Sequence, residues 1–327
     1  MALPEVHIKQ ESSVSPFQAV SAAWIYPVAL ILLIVAGAAL RFAHLTSKPF
    51  WFDECFSVEL ARLRWGSFLR VIWWREANMS LYYALLRAWL QFGQSEFFIR
   101  AFSVLFALAT IPAIYWLGHE LYDRRVAFFA AALFTFNAYN VRYAQEARSY
   151  TLFVLLATLS SGFFVSWLRN PTRRTRIAYT AVSILAVYSH FYALLLIAVQ
   201  WSVLRLFGEP NPQEIEHPAA SRHRPWRAIA IGVLPLLFFV AKTGPGPIRW
   251  IHRPGLYDLL IFLRDVSGGS HWLLPLVFLV ACIAAETPGG EMRAQRGAFS
   301  FCCYGFCFPS FLPLRSHFSA RCFCRDS

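Results

Sequence analysis

Charge is scarce in this chain: Asp, Glu, Lys and Arg make up 15% of its 327 residues, while 57% are hydrophobic. That balance excludes an ordinary water-soluble domain, in which charged residues approach about 25%. No glycine-rich phosphate loop is present, so no nucleotide-binding fingerprint exists. Cysteine is thin along most of the length. Five of the seven, Cys302, Cys303, Cys307, Cys322 and Cys324, fall close to the C-terminal end, and none stands at zinc-ligand spacing with histidine. A short apolar run before a small-residue cleavage site is also lacking. The first 21 residues are polar, and the run after them reads as a signal anchor.

Long apolar runs separated by short basic clusters fill most of the sequence. Residues 22–40 form an uncharged run of about the 20 residues that cross a bilayer. Further runs follow at 101–118, 126–141, 149–168, 228–241 and 272–285. The stretch 177–204 would be ~42 Å long as one helix, too much for a single upright span. It is interrupted by Ser189-His190-Phe191-Tyr192, so two short helices meeting at that point are expected. The fold class that follows is an all-α membrane protein, a polytopic bundle of about eight spans. The net charge of +12 is spread over loops in the manner of membrane-surface contacts, which argues against nucleic acid as a partner.

Three regions are expected. Residues 1–21 form a cytoplasmic segment, 22–285 the transmembrane body, and 286–327 an aberrant Phe- and Cys-rich tail of the kind an out-of-frame or degraded gene end would encode. Four arginines in the eight residues Arg169-Asn170-Pro171-Thr172-Arg173-Arg174-Thr175-Arg176 mark a cytoplasmic loop. Counting spans from it places Arg124 and Arg125 inside. The loops carrying Asp53-Glu54 and Tyr143–Tyr150 then fall outside. Within the first outer loop, 41–96, Phe56, Leu60 and Leu63 recur at helical spacing with Glu59 and Arg62 off that face. This pattern predicts helices lying along the interface, with Trp65, Trp73 and Trp74 as interface anchors.

The chemistry-bearing residues gather on that outer side. Asp53 can act as a general base on a hydroxyl, with Glu54 beside it and Glu146 as a second acid. Arginines can stabilise a departing phosphate, and Arg148 is one candidate. Each has a plainer reading as well. Asp53 can be the N-cap of a helix starting near Glu54, Glu146 can pair with Arg142 or Arg148 at a helix end, and His190 can be a packing histidine.

The ordered strings Trp51-Phe52-Asp53-Glu54, Leu81-Tyr82-Tyr83, Arg100, Tyr143-Ala144-Gln145-Glu146-Ala147-Arg148-Ser149-Tyr150 and Ser189-His190-Phe191-Tyr192 resemble glycosyltransferase family 39. These are polytopic C-type enzymes related to protein O-mannosyltransferases and to the aminoarabinose transferase of lipid A. The resemblance covers roughly residues 25–285. It implies an integral plasma (inner) membrane enzyme with an extracytoplasmic active site. The implied reaction is inverting transfer of a sugar from a polyprenyl-phosphate donor to a lipid, glycan or protein hydroxyl. Asp53, Glu54 and Glu146 would be the catalytic acids, and Arg148, Tyr143, Tyr82, His190 and Arg249 the substrate contacts. No cofactor or resident metal is implied, the lipid-linked sugar being a substrate and membrane lipids its surroundings. Where family members commonly carry His or Lys and two prolines before Leu-Tyr-Tyr, this chain has Asn78-Met79-Ser80, which removes a basic group. The rival expectations are a transporter or flippase for lipid-linked sugars and an inactive remnant of a transferase.

Overall fold

The computed structural model describes residues 16–207, 224–244 and 255–266. Those residues form helices and turns, with no strand among them. Twelve helices follow in order: α1 (Pro16–Phe42), α2 (Phe52–Arg62), α3 (Trp65–Trp74), α4 (Ser80–Trp89), α5 (Glu96–Leu121), α6 (Arg124–Phe136), α7 (Ala138–Ala144), α8 (Tyr150–Arg169), α9 (Arg173–Ser189), α10 (Ala193–Phe207), α11 (Arg224–Thr243) and α12 (Leu256–Val266).

Four of these are long and apolar enough to cross a bilayer: α1 over Trp24–Phe42, α5, α8 and α11. The expected count of about eight is therefore not what the described residues present. The run 126–141 is not one helix, because it breaks at Asn137, whose side chain caps α7 by accepting from the Asn140 N–H at 3.0 Å. The stretch 177–204 divides as expected, with α9 ending at Ser189 and α10 starting at Ala193. The run 272–285 and the loop carrying Arg249 and Trp250 lie outside the described residues. Large apolar side chains face outward on α1 (Ile31, Leu32, Val35), α6 (Phe129, Leu133) and α11 (Ile231, Phe238). An apolar surface this extensive cannot face water and marks a lipid-facing belt.

The helices pack closely at small residues. A Cβ at Gly118 would lie 2.7 Å from the Ala127 backbone, and one at Gly162 would overlap the Trp116 ring. Backbones approach in this way wherever van der Waals packing must replace a hydrophobic driving force. Polar groups inside the bundle find each other. The Tyr179 hydroxyl donates to Gln200 Oε1 at 2.8 Å, Gln200 Nε2 donates to Ser160 Oγ at 3.3 Å, and Ser160 and Ser183 share a bond of 2.9 Å. This chain stitches α8, α9 and α10 together.

Two further devices fix the end of the bundle that holds Asp53, Glu54 and Glu146. Arg41, fully buried near the end of α1, donates to the carbonyls of Thr135 (3.1 Å) and Phe134 (3.4 Å), which the break after α6 leaves free. In return, Gln145 Nε2 donates to the terminal α1 carbonyls of Arg41 (3.1 Å) and Ala43 (2.8 Å). The loop entering α8 is thereby tied to the loop leaving α1.

In the first loop, α2 buries Glu54, Cys55, Ser57, Val58, Leu60 and Ala61. Phe56, expected on that face, points outward, while Glu59 and Arg62 are exposed as expected. Arg87 of α4 closes the C-terminal end of α2 by donating to the Ala61 and Leu63 carbonyls. Trp65, Trp73 and Trp74 on α3 are exposed, as interface anchors require.

Candidate functional site

The site forms where the end of α1, the start of α2, the start of α5 and the loop before α8 converge. Helix α2 begins at Phe52, two residues before the start near Glu54 that an Asp53 cap would require. Its N-cap is Trp51, not Asp53, so the acid pair lies inside the first turn. There, carboxylates interact favourably with the exposed N–H groups. One step along a helix rotates a side chain by about 100°, and the two neighbours accordingly face different surroundings.

Glu54 points inward and is 1% exposed. Its Oε1 accepts from Arg100 Nε (2.8 Å) and the Ala147 N–H (2.9 Å), and its Oε2 from Arg100 Nη2 (2.8 Å) and the Trp51 N–H (3.3 Å). Four donors on two oxygens leave Glu54 little capacity to take a proton from a substrate. The same guanidinium donates to the carbonyls of Leu45 (2.9 Å) and Lys48 (2.7 Å) and lies 4.8 Å from the Phe50 ring centroid. Glu54 and Arg100 form a strut that locks three chain segments together.

Asp53 lies on the open side, with its side chain 36% exposed, and its Oδ2 is 3.5 Å from Arg148 Nη2. Arg148 is held from behind. Its Nη1 donates to the Asp53 carbonyl and to Ser57 Oγ, both at 3.3 Å, while Ser103 Oγ donates to the Arg148 carbonyl at 3.2 Å. Buried Nε of Arg148 has no partner among the described residues. An ion pair is satisfied on one edge of the guanidinium, and a donor remains free on another.

Two more carboxyls flank the pair. Burial and the nearby Glu54 raise Glu146 to about 7, against the opposing influence of Arg142 and Arg148. Its Oε2 is buried and bonded to nothing among the described residues. Glu76, in the turn between α3 and α4, is likewise raised to about 7 by burial, with Arg148 pulling down and Asp53 pushing up. Sequence reasoning missed Glu76. It belongs to no string with a recognisable pattern, and only its position two residues before Asn78 could have drawn notice. Both groups change protonation near neutrality, where a proton acceptor works best.

His190 closes the site from the α9–α10 break. Burial and Arg148 lower it to about 4, so the ring is neutral. Its Nδ1 accepts from the Tyr192 N–H at 3.3 Å, which assigns the proton to Nε2. The ring also stacks on Tyr192 at 4.6 Å. Asn78 anchors this break by accepting from the Phe191 N–H at 3.1 Å, and Met79 adopts a positive φ of 63° to start α4. Asn78 therefore ties the first loop to the α9–α10 break.

Tyr143 sits between Tyr139 (4.5 Å between ring centroids) and Tyr150 (5.3 Å). Burial, Tyr139 and Glu146 push its hydroxyl above the usual phenol range. Tyr82 is fully buried, with its hydroxyl 2.9 Å from Ser103 Oγ, and so supports Arg148 from within the core through Ser103. Arg249 lies outside the described residues. Asp53, Glu54, Glu146, Arg148, His190 and Tyr143 are thus brought to one end of the bundle. Among the described residues, no three His, Cys, Asp or Glu side chains converge as a metal site.

Helix α8 leads from this site to Arg169, about 30 Å away for its length. Arg169 meets Glu120 of α5 at 3.5 Å, next to the arginines that open α6 and α9. The acid–arginine cluster and the arginine-rich turns occupy opposite ends. Searches against known protein families and against curated proteins find no match for the chain.

Proposed function

We propose that the protein transfers a sugar from a polyprenyl-phosphate carrier to an acceptor hydroxyl at the outer membrane face. The observation that carries this reading is the contrast between a saturated Glu54 and an accessible Asp53 held beside Arg148. Its other support is the ordered resemblance to glycosyltransferase family 39. Helices long enough to cross a bilayer are consistent with a donor that is itself a lipid. The arginine-rich turns fit the cytoplasmic side, and on that reading the acid–arginine cluster faces the extracytoplasmic side of a plasma (inner) membrane.

In this reaction Asp53 takes the proton of the acceptor hydroxyl as its oxygen attacks the anomeric carbon. The bond from that carbon to the phosphate oxygen breaks, and the lipid phosphate leaves with the electron pair. Arg148 stabilises the departing anion. Inversion requires attack opposite the leaving oxygen, so base and phosphate contact must stand on opposite faces of the sugar. The Asp53–Arg148 pair is then a resting contact that opens when donor phosphate reaches the guanidinium. Glu146 and Glu76 are proton acceptors for relay away from Asp53, and neutral His190 offers its Nε2–H to a sugar hydroxyl.

The test is incubation of the purified protein in lipid nanodiscs with radiolabelled polyprenyl-phosphate sugar and an acceptor extract. Labelled product from the wild type, and none from Asp53→Asn, is the expected result. Full transfer by Asp53→Asn refutes the assignment of the base. For a transporter, the rival class, label would cross a sealed vesicle without any product forming.

A further inference from the structure

A second feature lies at the opposite, arginine-rich end, between α9 and α11. A groove of about 330 Å³ runs between these helices, inside the range of about 300–1,000 Å³ typical of ligand clefts. It is lined by Ile177, Ala181 and Ile184 of α9 and Ala228 of α11, together with Arg176 and Arg224 from the first turns of the two helices. The lining is almost wholly apolar. Its hydroxyl, that of Thr180, already donates to the Arg176 carbonyl at 2.8 Å. The far end is shut where Gly232 meets Ile184, since a Cβ there would lie 2.6 Å from Ile184 Cδ1.

We propose that this groove binds an anionic phospholipid of the surrounding membrane. One acyl chain would lie along Ile177, Ala181 and Ala228, and the phosphate would sit between Arg176 and Arg224. The argument is one of chemical complementarity. An apolar furrow excludes a polar ligand, because nothing along its wall satisfies one. Two arginines among the lining residues reject a cation and match a phosphate. Among the described residues, no carboxylate forms an ion pair with either arginine. Both arginines belong to the first turn of their helices, where the helix dipole adds to the attraction for an anion. Basic recesses between transmembrane helices take lipid headgroups in this way. The site is separate from the acid–arginine cluster and does not depend on the reaction proposed for it.

The experiment uses the full chain in nanodiscs containing either a diazirine-labelled phosphatidylglycerol or the matching labelled phosphatidylcholine, with cross-links mapped by peptide mass spectrometry. Selective labelling of 177–184 and 228 by the phosphatidylglycerol probe, competed by unlabelled phosphatidylglycerol, is the expected result. Arg176→Gln and Arg224→Gln should each reduce that labelling about fivefold. Ala181→Trp, which fills the furrow and leaves both arginines, should abolish it. Equal labelling by the two wild-type probes overturns the proposal without any variant. Undiminished labelling of the Arg176→Gln/Arg224→Gln protein, with its elution profile unchanged, overturns it as well.

Discussion

Two acid–arginine pairs stand one residue apart on α2 and differ in nearly every physical respect. Glu54–Arg100 is closed to solvent, bidentate and completed by two backbone N–H groups. In Asp53–Arg148 the acid is partly exposed and the arginine buried, with a longer contact and a buried guanidinium nitrogen that has no partner among the described residues. The first pair has satisfied its electrostatics and serves as structure. The second has spare bonding capacity on both partners, as a site awaiting a ligand must. Adjacent acids in a sequence can therefore hold opposite roles, separated by a single step of helical rotation.

Removing one member of a buried pair strands the other charge, and the largest effect on the fold is expected there. Glu54→Gln or Arg100→Leu should destabilise by about 3–5 kcal/mol, read as a lower thermal midpoint in detergent and loss of monodisperse protein. Asp53→Asn should cost less, because the carboxylate is partly exposed and the amide oxygen stays beside Arg148, whose side chain is 9% exposed. If the two substitutions were equally destabilising, the contrast between the pairs would be broken.

The raised acids sharpen the comparison through pH. Glu146 and Glu76 hold protons in the folded state up to about 7, above the ordinary carboxylate value of 4.5. Between these values the native state binds more protons than the unfolded one, so stability is full below about 4.5 and declines as pH rises through about 7. Glu146→Gln combined with Glu76→Gln should flatten a plot of unfolding midpoint against pH over that window. A slope that survives both changes would assign the dependence to other groups. The smallest effect belongs to Ser57, which donates to the Asp53 carbonyl at 2.8 Å and accepts from Arg148. Ser57→Ala should cost about 0.5–1.5 kcal/mol of positioning, seen as a severalfold slower transfer with an unchanged melting profile.

Much of the helical frame was legible because apolar runs of bilayer length have few other uses. The break at His190 was equally readable, since polar residues interrupt a run too long for one span. Asn137 carried the same kind of signal inside 126–141, but two asparagines and a threonine in a 16-residue run also suit a continuous helix. What decided it was a cap formed with Asn140 and carbonyls taken up by Arg41, far away in sequence. The division of labour between Asp53 and Glu54 was not legible for a related reason. It depends on Arg100 and Ala147, 46 and 93 residues away, and on a helix that starts at Phe52. Glu76 carries no pattern at all, and only the packing of α3 and α4 brings it near Arg148.

The measurement that bears most directly on the central contrast is the initial rate of sugar transfer by Asp53→Asn protein whose elution and melting match the wild type. Loss of at least about a hundredfold, the lower range for a positioned general base, is the outcome expected if the open acid carries the chemistry. Transfer at the wild-type rate by that well-folded variant would contradict it.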